Sequence, residues 1–287
     1  MKIAIYGSRR QDAHLPILED FMRTLVAEGH EVVMHPKLYR YLMHLMPAAL
    51  GAVRRVLDDA SDCGAELAIS IGGDGTFLRT AEWVGDSGMP IAGVNTGHLG
   101  YLTAVGIDGL STLLPAFVAG EMRVCSRSLI QVVAPELEIR PYALNEVAIL
   151  KSDTAAMISV GATIDGAPLA EYRVDGLLVS TPTGSTAYNL SVGGPIVQPA
   201  APVWVVSPIA AHSLSMRPLV VNDSSVLTLV PGGRAPHVRL SIDGRTATVD
   251  NGTIIELRRA PFGVNMLHLP GRDFATTLRD KLHWGED

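Results

Sequence analysis

The chain has 287 residues, of which 47% are hydrophobic and 18% charged, and its 23 basic and 29 acidic side chains give a net charge of -6. A chain of this length and composition buries a sizeable core, which excludes disorder as the default. The acidic balance and the lack of a Lys/Arg-rich block argue against nucleic acid or an anionic membrane as a partner. Two cysteines are too few for a disulfide framework.

The start of the chain carries no pattern of a secretory signal, because the apolar run Lys2–Gly7 is short and polar residues follow it. No run of 18 uncharged apolar residues predicts a membrane-spanning helix in the sequence. The sequence therefore predicts a cytoplasmic protein.

Short apolar runs alternate with helical patterns in the first third of the chain. The runs cover residues 2–7, 31–35, 67–71 and 90–94. This alternation predicts βαβ units around a parallel sheet. Apolar side chains at helical spacing predict a helix from about Leu15 that stops at Gly29, and a second helix over residues 48–63 that ends at Gly64.

After about residue 125, strand-like segments separated by Gly, Pro, Asp and Asn turns replace the helical patterns. The segments cover residues 128–134, 143–150, 157–164, 176–180, 226–230, 237–242 and 253–258. The pairs Asp165-Gly166, Asp243-Gly244 and Asn251-Gly252 predict hairpins. We expect an α/β domain over residues 1–125 and a mostly antiparallel β domain over residues 126–271. A final helix within residues 272–287 is expected to return to the first domain.

A Gly-rich turn, Gly72-Gly73-Asp74-Gly75-Thr76, lies between a buried-strand pattern and a helical stretch. Backbone N–H groups in such a turn approach phosphate oxygens and the helix N-terminus adds a favourable dipole, so Gly72, Gly73, Gly75 and Thr76 are expected to bind phosphate. A carboxylate here repels phosphate unless a metal or a substrate hydroxyl intervenes, which makes Asp74 a candidate base or metal-linked residue. A tight turn capped by Asp74 is the structural alternative.

The loop differs from the commoner nucleotide signatures. Neither Gly-x-x-x-x-Gly-Lys-Ser/Thr nor a Gly-x-Gly-x-x-Gly in the first βα turn is present. It resembles instead the loop shared by NAD kinases, diacylglycerol and sphingosine kinases, and phosphofructokinases.

Segments of the second domain distinguish among these families, because their order and spacing resemble those of NAD kinases of the bacterial type. They are Asn145-Glu146, Tyr172-Arg173-Val174-Asp175-Gly176 and Thr181-Pro182-Thr183-Gly184-Ser185-Thr186-Ala187-Tyr188-Asn189-Leu190-Ser191-Val192-Gly193-Gly194-Pro195. In the first domain, Asn95-Thr96-Gly97-His98-Leu99-Gly100-Tyr101 is similar to a family segment that usually ends in Phe. The resemblance implies a Rossmann-like, phosphofructokinase-like α/β domain followed by a mostly antiparallel β domain.

The resemblance also implies a reaction, in which the γ-phosphoryl group of ATP passes to the 2'-hydroxyl of the adenosine ribose of NAD. Asp74 would accept or orient the proton of that hydroxyl, and a divalent metal ion, expected to be Mg²⁺, would neutralise charge together with the loop amides. ATP and NAD are the implied substrates, and no protein ligand of the metal is assigned. A homo-oligomer, dimer or tetramer, with paired β-rich domains is expected.

The NAD contacts implied by the resemblance lie mainly in the second domain, with the adenosine ribose in a cleft between the domains. They are Asp74, Gly75, Arg79, Asn145, Glu146, Arg173, Asp175, Thr186, Ala187, Tyr188, Asn189, Leu190, Ser191, Ala210 and Arg245. Arg173 and Asp175, two apart on a strand-like segment, are expected to face the same side, with Arg173 serving a neighbouring subunit. Arg245 stands where the family favours an uncharged amide.

Several of these assignments have a structural alternative. Asn145 and Glu146 fit a solvent-facing polar pair, the Ser and Thr side chains of residues 181–191 fit helix caps, and Arg173 with Asp175 fits an ion pair. Two other functions also stay open. One is a lipid or sugar kinase with the same Gly-rich loop, and the other is a catalytically silent NAD(H)-binding sensor.

Overall fold

The computed structural model describes residues 1–9, 11–97, 100–103, 105–152, 157–271 and 273–285. Its chain divides into two units, Met1–Ser126 with Val264–Asp287, and Arg127–Gly263. The first elements in chain order are β1 (Lys2–Gly7), α1 (Leu15–Ala27), β2 (Glu31–Met34), α2 (Pro36–Leu45), β3 (Val53–Val56), β4 (Leu67–Ile71), α3 (Asp74–Val84), β5 (Ile91–Asn95), β6 (Val105–Gly106) and α4 (Leu110–Val118).

The later elements are mostly strands. They are β7 (Arg123–Val133), β8 (Tyr142–Ala143), β9 (Glu146–Lys151), β10 (Ile158–Ile164), β11 (Ala167–Val174), β12 (Gly176–Ser180), α5 (Tyr188–Ser191), β13 (Val203–Ile209), β14 (Leu219–Asn222), β15 (Leu227–Gly233), β16 (His237–Ile242), β17 (Arg245–Asp250), β18 (Ile255–His268) and α6 (Phe274–Leu282). Short 3-10 helices cover Asp12–His14, Pro47–Ala52, Ile107–Gly109 and Thr183–Thr186.

The first unit is built on a parallel sheet with the strand order β5-β4-β1-β2-β3. Every residue of β4 and β5 is buried, as expected for parallel strands that are covered on both faces. The apolar face of α1, which carries Leu18, Phe21, Met22 and Leu25, packs into the same core as the sheet. The helix ends at Ala27 and Gly29 has a φ of 72°, so its predicted stop is confirmed.

The helix predicted over residues 48–63 is wrong. A short 3-10 helix, Pro47–Ala52, leads there into β3, which pairs with β2 at the edge of the sheet. Pairing with a neighbouring strand outweighs local helical spacing at this position. The sequence reasoning also missed α2, although Pro36 stands at its start and the ring of His35 accepts a hydrogen bond from the N–H of Lys37, at 3.3 Å.

The second unit contains two antiparallel sheets. One has the order β14-β13-β12-β9-β16-β17, and the other pairs β11, β10, β15 and the first part of β18. Apolar side chains of both sheets form one core, which includes Leu177, Val179, Trp204 and Leu240. The predicted fold class, an α/β part and a mostly antiparallel β part, is confirmed.

Two of the three predicted hairpins are confirmed. Asp165-Gly166 joins β10 to β11 and Asp243-Gly244 joins β16 to β17, with positive φ at both aspartates. The hairpin at Asn251-Gly252 is wrong, because β17 pairs with β16 and β18 pairs with β15 in the part of the chain that is described. The chain turns at this point from one sheet to the other.

The end of the chain is helical, as predicted. Asp273 caps α6 by accepting a hydrogen bond from the N–H of Thr276 at 2.7 Å. The segment belongs to the first unit, and no residue of α6 is buried. Within the described ranges, no helix combines the length and the apolar character that crossing a membrane requires.

Candidate active site

The Gly-rich loop follows β4 at the carboxyl end of the parallel sheet. Gly72 donates its N–H to the carbonyl of Val94 at 2.8 Å and has a φ of 151°, and a Cβ there would collide with the side chain of Thr76. Only glycine therefore fits this position. A Cβ on Gly73 or Gly75, in contrast, would meet no atom within 4 Å, so open space lies beside both residues.

Helix α3 begins immediately after Gly73, with Asp74 as its first residue. The N–H groups of Thr76 and Phe77 bond to the carbonyl of Gly73, at 2.9 and 3.1 Å. Those of Asp74 and Gly75 lie in the first turn, where a helix supplies no acceptor. The loop thus presents backbone donors at the positive end of a helix dipole, which suits an anion.

The carboxylate of Asp74 is held by the backbone of a later segment. Oδ2 accepts a hydrogen bond from the N–H of Tyr101 at 2.8 Å, and Oδ1 accepts one from Leu102 at 3.0 Å. A Cβ on Gly100 would overlap this carboxylate, so the glycine lets the two chains approach. Each carboxylate oxygen keeps a further lone pair. Asp74 is therefore oriented by the protein and still able to accept a proton.

The segment that holds Asp74 is itself braced. Asn95 accepts from the N–H of Gly97 at 2.7 Å and donates to the hydroxyl of Thr103 at 3.2 Å, and the N–H of Gly100 donates to the same hydroxyl at 3.1 Å. His98 and Leu99, also within this motif, lie outside the described residues. The sequence pattern identified the motif, but not that its backbone orients Asp74.

Arg79 lies on α3 and is exposed. Its guanidinium is near the hydroxyl of Tyr6, on β1; burial raises the pKa of Tyr6, and Arg79 opposes that shift. This contact places Arg79 beside the carboxyl end of β1. The predicted contact with nucleotide stays a prediction.

In the second unit, Asn145 and Glu146 stand at the start of β9, against the segment after β12. The carbonyl of Asn145 accepts from the N–H of Thr181 at 2.9 Å, and the hydroxyl of Thr181 donates to the carbonyl of Leu144 at 2.6 Å. Gly184 packs so closely on the backbone of Asn145 that a Cβ would clash with it. The Pro-Thr-Gly turn thus serves to position the Asn-Glu pair.

Asp243, which the sequence marked only as a hairpin residue, anchors this pair. Its carboxylate accepts hydrogen bonds from the backbone N–H of Leu144, Asn145 and Glu146, at 2.7, 2.9 and 3.0 Å. Burial raises the pKa of Glu146 to about 7, the negative charge of Asp243 acts in the same direction, and a hydrogen bond from the backbone of Tyr188 opposes both. Oε2 of Glu146 is buried and has no hydrogen-bond partner among the described residues.

The hydroxyl-rich segment forms a 3-10 helix, Thr183–Thr186, and then α5, which has only four residues. Asn189 is fully buried; its amide donates to the carbonyl of Pro195 at 3.1 Å and accepts from the hydroxyl of Ser207 at 2.7 Å. Tyr188 and Ser191 are exposed, while Thr186, Ala187 and Leu190 are partly so. The side chain of Asn189 therefore braces the turn that presents its neighbours.

Arg173, Asp175 and Ala210 form a second group. The carbonyl of Arg173 accepts from the N–H of His212 at 3.0 Å, and the N–H of Asp175 donates to the carbonyl of Ile209 at 2.9 Å. Ala210 is exposed and has a φ of 49°, which is uncommon for a residue with a Cβ.

The predicted geometry of Arg173 and Asp175 needs correction. β11 ends at Val174, and Asp175 lies in the bend before β12, so strand alternation does not place the two side chains on one face. The carboxylate of Asp175 pairs with Lys151, at 2.8 Å, instead of forming the ion pair with Arg173 that was the alternative.

Strand register separates the two groups of the second unit. In the pairing of β12 with β9, Ser180 lies opposite Glu146 and Gly176 opposite Leu150. At about 3.3 Å per residue, the end near Asp175 is roughly 13 Å from the end near Glu146. The structure thus brings Glu146, Tyr188 and Arg245 together but sets Arg173, Asp175 and Ala210 apart from them.

Arg245 follows the Asp243-Gly244 turn and lies in the group of Glu146. Its guanidinium donates to the carbonyl of Ile242 at 3.0 Å and to that of Tyr142 at 2.6 Å. Its charge also opposes the rise in the pKa of Asp243 that burial causes. The departure from an uncharged amide therefore has a local role in the hairpin.

Comparisons with known proteins give a consistent family. The model of the ATP-NAD kinase N-terminal domain matches residues 3–122, and that of the ATP-NAD kinase C-terminal domain matches residues 144–269. The NAD kinase of Porphyromonas gingivalis is 42% identical over 287 residues, covering 99% of this chain and 98% of that protein.

Two solved structures are similar in fold. Yeast NADH kinase, in complex with NADH, has a TM-score of 0.89 at 22% identity, over 100% of this chain and 89% of its own. The NAD kinase of Archaeoglobus fulgidus, in complex with ATP, has a TM-score of 0.71 at 26% identity, over 93% of each chain. With both halves matched by family models and a relative 42% identical over nearly its full length, this chain belongs to the ATP-NAD kinase family.

Proposed function

We propose that this chain is an NAD kinase that transfers the γ-phosphoryl group of ATP to the 2'-hydroxyl of the adenosine ribose of NAD and so produces NADP. The observation that carries the proposal is the carboxylate of Asp74, which two backbone N–H groups orient at the start of α3, beside a loop of phosphate-binding character. Loop and carboxylate together supply an anion site and a proton acceptor within five residues.

The loop binds phosphate in this mechanism. Gly72 shapes the turn, and a Cβ on Gly73 or Gly75 would meet no atom within 4 Å, so the space beside the loop is open to a phosphate. Phosphoryl transfer needs positioning and charge stabilisation more than covalent help. Backbone donors at a helix N-terminus provide both, because they are preorganised and need not reorient as charge develops. Thr76 and Arg79 add a hydroxyl and a cation on the same helix.

Asp74 takes the proton of the attacking hydroxyl. Its oxygens are fixed by Tyr101 and Leu102, so the carboxylate does not have to search for the substrate. A positioned carboxylate contributes typically 10²- to 10⁴-fold as a general base.

A divalent metal ion, which we propose to be Mg²⁺, neutralises the phosphate charge when bound. No cluster of three or more His, Cys, Asp or Glu side chains within the described ranges has the form of a metal site. Mg²⁺ in kinases is commonly held by substrate phosphates with only one or two protein carboxylates, so the residues present fit such an ion.

The second unit binds NAD. Asn145 and Glu146 offer amide and carboxyl groups that donate to and accept from ribose hydroxyls. Thr186, Ala187, Tyr188, Leu190 and Ser191 retain accessible surface for the ligand, while the buried Asn189 supports the turn that carries them. Arg245 acts beside Glu146.

Arg173, Asp175 and Ala210 serve a second binding position. Their distance of roughly 13 Å from the Glu146 group supports a role in holding the far end of a dinucleotide or the ligand of a neighbouring subunit. We propose a homo-oligomer for this reason. The proposal retains a phosphate-binding domain over residues 1–125, a NAD-binding domain over residues 126–271 and a cytoplasmic location.

The proposal is tested by incubating the protein with NAD, ATP and Mg²⁺ and detecting NADP with an NADP-specific dehydrogenase. Asp74→Asn should lower turnover by roughly 10² or more, because an amide cannot take the proton. Asp86→Asn changes an exposed carboxylate just beyond the end of the same helix and serves as the matched control. No NADP from the wild type would refute the function, and near-normal turnover by Asp74→Asn would refute the role of the base.

The comparisons give no support to the two alternative functions. A lipid or sugar kinase would form no NADP and would phosphorylate a lipid or sugar alcohol that replaces NAD in the incubation, and a sensor would bind NAD without turnover at any ATP or Mg²⁺ concentration. Either result would replace the proposal.

A further inference from the structure

We propose that Asp243 is a positioning residue for NAD binding: it fixes the backbone of Leu144, Asn145 and Glu146, and its carboxylate acts on the carboxyl group of Glu146. The inference rests on the proposed function, because it concerns how the Asn145-Glu146 pair meets the ribose. It assigns a role to a residue that the sequence marked only as part of a turn.

The carboxylate of Asp243 accepts several hydrogen bonds from the start of β9. Three consecutive N–H groups, those of Leu144, Asn145 and Glu146, converge on one carboxylate at 2.7 to 3.0 Å. The N–H of Asp243 in turn donates to the carbonyl of Glu146, at 3.1 Å. Bonds between backbone N–H groups and a carboxylate are roughly twice as strong as neutral ones. The start of β9 is therefore fastened on both sides to the tip of the hairpin between β16 and β17.

The hairpin that carries Asp243 differs in its contacts from the other Asp-Gly hairpin. Asp243 has a φ of 47°, a left-handed conformation, and its carboxylate reaches three N–H groups at the start of β9. Asp165, in the other Asp-Gly hairpin, has a similar φ of 50° but accepts one backbone N–H, that of Val226 at 2.8 Å. The threefold contact is thus specific to the turn beside the Asn145-Glu146 pair.

The charge of Asp243 also acts on the carboxyl group of Glu146. The groups that act on the carboxyl of Glu146 are the carboxylate of Asp243 and the backbone N–H of Tyr188, while the charge of Arg245 acts on Asp243. Burial and the charge of Asp243 both raise the pKa of Glu146, which reaches about 7. An acidic group near a negative charge keeps its proton to higher pH, because a second negative charge is unfavourable beside the first.

The consequence concerns the ligand. A protonated Glu146 offers one O–H donor and one carbonyl acceptor, whereas an ionised one offers acceptors only. Oε2 of Glu146 is buried and has no hydrogen-bond partner within the described part of the chain. A ribose hydroxyl can accept from the protonated form or donate to the ionised form. NAD binding should therefore change as pH passes through the pKa of Glu146.

The test compares Asp243→Asn with Asp165→Asn, the matched control in the other Asp-Gly turn. Glutamate labelled with ¹³C at the carboxyl carbon, assigned with Glu146→Gln, reports the titration of Glu146 by NMR without any substrate. We expect the pKa of Glu146 to fall in Asp243→Asn and to stay unchanged in Asp165→Asn. In the kinase assay, the KM for NAD should rise about tenfold or more in Asp243→Asn, its pH profile should shift to lower pH, and kcat should change less.

The outcomes separate the two proposals. If the wild type forms no NADP, the proposed function fails, and the NMR titration still tests the coupling of Asp243 to Glu146. A folded Asp243→Asn with an unchanged Glu146 titration or an unchanged KM for NAD overturns the inference. If Asp243→Asn does not fold, the wild type is used for the test by NMR. The inference then requires the amide proton resonances of residues 144–146 to shift together as Asp243 titrates, and independent shifts would overturn the inference.

Discussion

Gly100 is the residue whose substitution should most directly misplace the carboxylate of Asp74, which we propose to be the catalytic base. A Cβ at this position would lie 2.8 Å from Oδ2 of Asp74 and closer still to Oδ1 and Cγ. In Gly100→Ala the carboxylate must therefore retreat by more than about 1 Å, which also breaks its hydrogen bonds to the N–H groups of Tyr101 and Leu102. The rest of the loop need not move, because Gly73 and Gly75 lie in open space.

The expected effect is kinetic more than structural. A misplacement of about 1 Å at a reacting group costs on the order of 10² in rate, so kcat for NADP formation should fall about 100-fold. The loss of two hydrogen bonds to a charged group lowers the free energy of unfolding by about 3–6 kcal/mol at most, against a total of about 5–15 kcal/mol for a native protein. The dehydrogenase-coupled assay gives kcat and KM for ATP and NAD, and urea unfolding gives the stability.

The control for this experiment is Gly106→Ala. Gly106 belongs to the same unit, its φ of -74° suits alanine, and a Cβ there would meet no atom within 4 Å. It should retain wild-type kcat. A Gly100→Ala protein that is folded and turns over at the wild-type rate would refute the assignment of Asp74 as a base held by the later segment.

Three further expectations follow from single side chains. Asn189→Ala should lower the free energy of unfolding by about 2–4 kcal/mol in urea titrations, because it leaves the hydroxyl of Ser207 and the carbonyl of Pro195 without their buried partner; an unchanged midpoint would contradict the bracing role. Tyr101→Phe removes a buried hydroxyl that has no hydrogen-bond partner among the described residues, so stability should be equal or up to about 1 kcal/mol higher and kcat within about twofold; a large loss would show that the hydroxyl is used. The pKa of Glu146 is 4.5 in its ordinary range and about 7 in the folded protein, so folding is accompanied by proton uptake between these two pH values. The contribution of this proton to stability is fully present below pH 4.5 and is lost as pH rises to 7. Wild type should therefore lose about 1–3 kcal/mol more than Glu146→Gln between pH 4.5 and 7 in parallel urea titrations, and equal slopes would refute the raised pKa.

Local patterns predicted most elements of the fold correctly, for physical reasons that particular segments illustrate. β4 is a continuous buried run between a turn and a Gly-rich loop, so its limits are visible in the sequence. β12 and β16 were predicted with the limits that they have, because both are short apolar runs bounded by turn residues.

The errors come from contacts that local patterns do not contain. Residues 53–56 form a strand because β2 is available as a neighbour, and a helical spacing of apolar residues cannot reveal that partner. Asn251-Gly252 has hairpin chemistry, but the strand after it pairs with β15 in the other sheet. In both cases the partner is distant in sequence.

In the candidate site, too, local patterns reveal some residues, while contacts between distant parts of the chain are hidden from them. Gly72, Asp74 and Gly75 are recognisable because strand, loop and helix are contiguous in the chain. The support for Asp74 is not recognisable in this way, since it consists of backbone N–H groups of Tyr101 and Leu102, which any residue other than proline supplies. Asp243 is similar, because three hydrogen bonds to its carboxylate leave no pattern in the sequence.

The contact of Asp243 with Leu144 joins positions 99 residues apart and has a consequence for synthesis of the chain. During translation the start of β9 emerges long before the turn that fastens it, so Asn145 and Glu146, the proposed NAD-binding pair, stay unanchored until the hairpin of β16 and β17 has left the ribosome. Contacts of such sequence separation form late and slowly. We therefore expect a nascent chain that ends before residue 243 to bind no NAD, even where β9 to β13 are complete. The ability to bind substrate arises only near the end of synthesis.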